Sequence, residues 1–333
     1  MSATEQSAPI VSALDAATPR PRWQVILIRP ETMTFALLVL GFIVASRLSP
    51  YFLDARYILD SFTLSAELAL VALVLTMVII AGEIDLSPAS TMALSACLFG
   101  YALQFGWPLG VAIIVCLGSG LLMGAINGVL VIRLQLPSII VTIGTLTLYR
   151  GLAQVIAGDK SIRFPEWYIG IDKVLIAGLP VPVVIFVVAS IVLGLVLGAT
   201  IYGRQIYQIG TNEIAARHAG IRTRSIKMAL FLMMGFTSAA AGMIFTSRLG
   251  SVRYDLGLGG ELQMVLMAML GGTYIFGGRG SILGTFLAAW LLSVISTGMT
   301  TANLLPATQL CVLGVLLIVS IIATNFIYSR TQR

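Results

Sequence analysis

Apolar residues in this chain run in long continuous blocks, and polar residues are confined to the gaps between them. Blocks near the ~20 residues that a helix needs to cross a bilayer fall at 33–48, 62–82, 88–103, 109–132, 137–157, 180–201, 228–247, 260–276, 281–298 and 304–327. The pattern predicts an all-α polytopic membrane protein with about ten transmembrane helices. The period-two alternation of a β-barrel is missing. Residues 1–30 are polar and lack the apolar centre of a cleavable signal peptide, so they read as a retained, disordered cytoplasmic tail ending at Arg29–Pro30. A transmembrane domain over 31–330 follows.

One gap is long and structured. The stretch 202–227, YGRQIYQIGTNEIAARHAGIRTRSIK, sets Arg204, Arg217, Arg222, Arg224 and Lys227 against the single acid Glu213, and it holds the only histidine, His218. It spells out a short helix. Gly210 is expected to break the chain, Thr211 or Asn212 to cap, and Gly220 to terminate. Glu213 falls in the first turn and Arg217 and His218 in the last, where the helix dipole favours their charges. Glu213 and Arg217 also form an i,i+4 pair in the better order. Over 212–219, Ala215, Ala216 and Ala219 gather on a small-residue face suited to a partner's groove. This is expected to be a helix held out for another protein to grip, the alternative being a solvated basic linker.

With the N-terminus inside, twelve of the 20 Lys and Arg residues lie on the inner side and eight on the outer. The outer ones sit among Asp54, Asp60, Asp159, Glu166, Asp172, Asp255 and Glu261, which sharpens the bias. The positive-inside rule therefore predicts both termini in the cytoplasm. Basic cytoplasmic loops account for the net charge of +6 without nucleic acid. Three weak internal matches pair AGEIDLSPAS (81–90) with VRYDLGLGGE (252–261), FGWPLG (105–110) with FGGRGSILG (276–284), and LQLPSIIV (134–141) with NLLPATQL (303–310). Corresponding helices are five apart, so the expected halves are two inverted five-helix repeats, whose broken segments tend to border a solute path.

Candidate chemistry is sparse. In GEIDLSPAS (82–90), Glu83 and Asp85 stand between two apolar helices, Ser87 is placed to cap, and Pro88 suits a first helical position. A carboxylate deep in lipid costs several kcal/mol, so these acids need water or partners. They mark either a polar turn at the membrane face or a break that lines the path or steadies its gate. No companion His, Ser-His set or metal ligand makes them catalytic. Gly120, Gly124 and Gly128, and Gly194 and Gly198, have the spacing of close helix packing. GGTYIFGGRGSILG (271–284) lacks the Gly-Lys-Ser/Thr ending of a phosphate loop, and the only lysines are Lys160, Lys173 and Lys227. That segment reads as a tight inter-helix turn with Arg279 at the inner face. Cys97, Cys116 and Cys311 lie in apolar blocks without metal or disulfide spacing, and are expected to be buried free thiols.

Together, Gly82–Ser90, Leu136–Gly151, Gly203–Ile221 and Gly271–Gly280 resemble the permease subunits of bacterial ABC importers for sugars, the ribose/xylose/rhamnose/autoinducer-2 branch. The resemblance runs over most of the chain from about residue 60, and the central loop is its most specific part. Glu83 stands where the family motif has glycine, and Pro88–Ala89 replaces Val-Gly; these departures bear on the substrate more than on the family. The resemblance implies a multi-pass permease in the bacterial inner membrane that works with three partners. These are a second permease chain, identical or paralogous, a cytoplasmic ABC ATPase holding ATP-Mg, and a periplasmic sugar-binding protein. Gly210, Asn212, Glu213, Ala215, Ala216, Arg217 and Gly220 would form the ATPase-coupling element, and this chain would bind no cofactor and catalyse nothing.

The expected solute is a small neutral sugar or polyol. Asn127, Thr142, Thr145, Thr237, Ser238, Ser296 and Gln309 are uncharged polar residues on apolar blocks that suit hydroxyl groups, although they equally suit bonds between helices. Asp85, Ser87, Asn127, Thr142, Thr145 and Thr237 are the pathway or gate candidates. The alternative is an ion-coupled secondary transporter of a small polar solute. It would use an acid or histidine within a span, and only Glu67 comes close.

Overall fold

Each apolar block lies on or against a helix of the computed structural model, which describes residues 30–331 apart from 49–51, 53 and 159. The expected tail over 1–29 lies outside the described residues. The helices are α1 (Pro30–Leu48), α2 (Ala55–Thr63), α3 (Ala66–Ile80), α4 (Pro88–Gln104), α5 (Leu109–Ile132), α6 (Ser138–Ala157), α7 (Val181–Ala199), α8 (Ile201–Thr211), α9 (Glu213–His218), α10 (Thr223–Leu249), α11 (Gly260–Leu270), α12 (Ile282–Thr301) and α13 (Pro306–Thr331). Six of these are long and apolar enough to cross a membrane, and the pair α2–α3, bent by 64° at Leu64–Ser65, makes a seventh if counted as one span. The chain is a multi-pass helical membrane protein.

The centre is α3. All of its residues are buried, as expected of a helix with no polar stripe, and α7, α10, α11 and α12 pack around it. Beside it, α5 and α10 meet at backbone distance: a Cβ on Gly120 or Gly124 would run into the carbonyl oxygen of Gly235 or Phe231, and one on Gly128 would come 2.7 Å from Met228 Sδ. The first small-residue repeat therefore packs as expected. The second does not, for a Cβ on Gly198 would meet nothing and one on Gly194 only Ile282 at 3.9 Å. Large apolar side chains such as Ile114, Val155, Leu195 and Ile318 face outward, a surface that only lipid or another chain satisfies.

Several expectations change here. The block 260–276 is helical only to Leu270. Gly272 takes φ +83°, its N–H bonds Met269 O and that of Thr273 bonds Ala268 O, a Schellman ending. Cys97 and Cys116 are buried, but Cys311 is exposed on α13. Two small antiparallel ladders also join the helices, β1 (Ile162–Arg163) with β4 (Ser251–Val252) and β2 (Leu175–Ile176) with β3 (Leu179–Pro180). The second turns at Ala177–Gly178, both with positive φ, as a two-residue hairpin requires. Strands of two residues leave no periodic signal in a sequence.

Thr34 Oγ1, near the start of α1, donates to Leu270 O at 2.6 Å, and Thr324 Oγ1, late in α13, donates to Met269 O at 3.5 Å. Both ends of the described chain therefore lie at one end of the molecule. The segment 271–281 leads from there to the end of α3 and to α8, where Gly278 N donates to Ile80 O and Tyr207 Oη donates to Gly280 O at 2.7 Å.

Candidate coupling helix and polar break

The short helix of the central loop is α9, closed at both ends by its own residues. Asn212 caps it, Oδ1 accepting from Ala215 N at 3.0 Å. At the far end Gly220 takes φ +83°, Gly220 N bonds Arg217 O and Ile221 N bonds Ala216 O, again a Schellman motif. Arg217 Nη2 meets Glu213 Oε1 at 2.9 Å, the expected i,i+4 pair. A helix of six residues is too short to persist on propensity, so these caps and its tertiary contacts hold it.

Two details differ from expectation. Gly210 does not break the chain; α8 runs through it to Thr211 and the break falls at Asn212. Gly210 is instead a contact glycine, because a Cβ there would strike Ile80 O and Gly278 N and stand 2.9 Å from Ile80 C. Ala216 is 4% exposed and packs into the chain's own apolar core, yet it lines one surface groove together with Ala215 and Ala219. Ala215 and Ala219 are exposed and border that shallow groove with Tyr207, Thr211 and Ile221. Beside them Ile214 is 72% exposed. Sequence reading missed it, although it is the one large apolar residue within this helix.

Lys227 stands in sequence among the loop's basic residues, yet its side chain is only 9% exposed. Its ammonium lies 2.6 Å from Glu83 Oε1 and 2.5 Å from Glu213 Oε2. One cation thus ties the break after α3 to α9. Partial burial pushes the Glu213 carboxyl up, but Lys227 and Arg217 outweigh it and hold it below the usual carboxylate range. Its share of stability is therefore complete at neutral pH and is lost only as pH falls through that depressed value. A polar cleft of about 600 Å³ opens beside the bridge, lined in part by Gln135, Ser138, Ile214 and His218.

The break itself is built from the end of α3, where Gly82 takes φ +86° and Glu83 N bonds Val78 O. Pro88 opens α4 as expected, but the Ser87 hydroxyl does not cap it. It donates to Asp85 Oδ1 at 2.7 Å, as does Ser87 N at 2.8 Å. Asn127 Nδ2 donates to Ser87 Oγ at 2.8 Å, and Tyr149 Oη donates to Asn127 Oδ1 at 3.3 Å. Ile84 N donates to Ser138 Oγ, and Thr142 Oγ1 to Ser138 O and Ile84 O. Thr145 Oγ1 donates to Thr142 O one turn on. Five of the six pathway candidates, Asp85, Ser87, Asn127, Thr142 and Thr145, therefore form one buried cluster around the break, with Tyr149 as a member that sequence reading missed. Thr237 stands apart, half-buried on an apolar cleft between α3, α5, α7 and α10.

At the opposite end, Glu67 is buried against Arg248, Nε to Oε1 3.1 Å, and the guanidinium lies 4.7 Å from the Phe245 ring centre. The acid nearest to the interior of a span is thus held in an ion pair.

The chain matches the family model described as "Branched-chain amino acid transport system / permease component" over residues 57–321. It is 33% identical over 307 residues to the autoinducer 2 import system permease protein LsrD of Enterobacter sp. (strain 638), covering 90% of this chain and 94% of that one. It is 34% identical over 309 residues to the protein of the same name from Escherichia coli (strain K12), covering 91% and 94%. No solved structure matches it significantly. The resemblance carried by the four motifs and these two comparisons agree, and the chain belongs to the branched-chain amino acid transport system / permease component family.

Proposed function

We propose that this chain is the membrane-spanning subunit of an ATP-driven importer for a small neutral sugar or sugar-like polyol in the bacterial inner membrane. It pairs with a second permease chain, identical or paralogous, takes solute from a periplasmic binding protein, and is driven by a separate cytoplasmic ATPase that holds ATP-Mg. The chain crosses the membrane ten times as two inverted halves, with both termini and α9 in the cytoplasm. Matched segments at opposite ends support the repeat: the break at 81–83 lies against Gly210, whereas Val252 lies at the far end of α4, beside Gly100.

The observation that carries this reading is α9, a capped helix at the end of the molecule that offers Ile214 to an apolar seat. The relatives are titled permeases of an autoinducer 2 import system, which supports import. The buried cluster at the break is made of hydroxyl and amide groups with the single carboxylate Asp85, and the nearby charges Glu83, Glu213 and Lys227 are already paired; that balance favours a neutral hydroxylated solute over an amino acid. With Glu67 occupied by Arg248, an ion-driven mechanism would have to use Asp85, which is buried and accepts hydrogen bonds from Ser87.

Reconstitution in liposomes tests the reading. The chain alone is expected to hydrolyse no ATP and to transport nothing. With its cognate ATPase, partner permease and binding protein it is expected to accumulate neutral solute only when ATP is supplied on the ATPase side. Uptake by the chain alone on a proton or sodium gradient would overturn it.

A further inference from the structure

We propose that Lys227 is a positioning residue that latches α9 to the break after α3, so that displacement of α9 is delivered to the Asp85 cluster. This rests on the reading of α9 as the seat of the ATPase. The three segments concerned are far apart in sequence, with Glu83 following α3, Glu213 opening α9, and Lys227 in the second turn of α10. One ammonium closes them, at 2.6 and 2.5 Å. Its neighbours Thr223 and Ile226 are buried, so the lysine projects from a fixed base. Removing it would leave Glu83, whose side chain is 14% exposed, without its cation, and a largely buried unpaired charge is costly.

The two acids are not equivalent. Glu213 has Arg217 as a second cation, at 2.9 Å. Among the described residues, Glu83 pairs with Lys227 alone. When α9 moves, Glu213 therefore passes to Arg217 without being stranded, while Lys227 stays on Glu83. Release relaxes the pull on the Gly82–Ile84 turn, in which Ile84 is bonded to Ser138 and Thr142 and beyond which Ser87 is bonded to Asn127. The latch thus has two states, and each keeps its charges paired. A two-state element biased from one site is what carries coupling to another.

The readout is solute imported per ATP hydrolysed by the reconstituted full assembly. In K227M this ratio is expected to fall by about tenfold or more, within the roughly 5–150-fold span of ordinary coupling between sites. E83Q, which removes a charge and keeps the shape, is expected to lower it in the same direction, and K227R to retain most of it. A purely structural lesion would lower uptake and hydrolysis together and leave the ratio unchanged. An unchanged ratio in K227M or E83Q overturns the latch, and E83Q decides alone if K227M does not assemble. A second arm needs no transport. A spin label on Ile214→Cys, in a chain whose Cys311 is replaced by Ser, is expected to become more mobile when K227M is added; equal mobility overturns the latch. Failure of the unaltered assembly to use ATP would instead overturn the importer reading, and the spin-label arm would still report on the latch.

Discussion

Ile214→Asp is expected to strip the ATPase from the assembled transporter while the membrane body stays folded. Ile214 is 72% exposed, so its loss takes little from the chain's own core, and exposed substitutions usually change stability by within ~0.5 kcal/mol. Seated in an apolar groove of a partner, however, an isoleucine contributes about 1.5–3 kcal/mol. A buried carboxylate adds an opposing penalty. The sum is the size of an interface hot spot, and retention of the ATPase should fall by roughly 30-fold or more. Copurification of the two subunits measures it, with solute uptake as the second readout. Unaltered retention would move the contact off this face of α9. Ala216→Trp is a poorer probe, because Ala216 is buried in the chain itself and the ring would overpack the core.

Gly210→Ala is expected to damage the fold itself. The added methyl would point into two backbone segments at once, Ile80 of α3 and Gly278 of the turn before α12. Backbone cannot rotate away as a side chain can. The cost should lie at or above the upper end of the ~1–3 kcal/mol seen for overpacking. Gly198→Ala is the matched control, since its Cβ would meet nothing within 4 Å. There a helix gains the ~0.5–1 kcal/mol by which alanine exceeds glycine. Thermal unfolding of the purified chain in detergent should drop sharply for the first variant and hold or rise for the second. Equal midpoints would mean that α8 does not sit as tightly on the α3 break as described.

What was legible in the sequence was local. The caps of α9 could be read from Asn212 and Gly220 because capping depends on residues three or four apart. The extents of α5 and α6 could be read from block length, and the close packing of α5 from its glycine spacing, though not its partner α10. What was not legible depends on partners distant in the chain. Nothing local distinguishes Gly210 as a contact glycine from a helix breaker, since the atoms it must avoid belong to residues 80 and 278. Nothing marks Lys227 as buried, since its two acids lie 14 and 144 residues away. In a membrane chain an apolar residue is equally at home in the core and in lipid, so α3 could not be recognised as the centre before its neighbours were seen. The Asp85 cluster was half legible. Its members stand out by their polarity, but their joining into one network around the break, with Tyr149 included, depends on the fold.

The central claim is that α9 faces the cytoplasm and seats the ATPase. A single cysteine at position 214, in a chain whose exposed Cys311 is replaced by Ser, tests it most directly. In the assembled complex a bifunctional thiol reagent should join this cysteine to the ATPase subunit, and an impermeant thiol reagent applied to intact cells should not reach it. Labelling from outside the cell, with no adduct to the ATPase, would contradict both the orientation of the chain and the role given to its central helix.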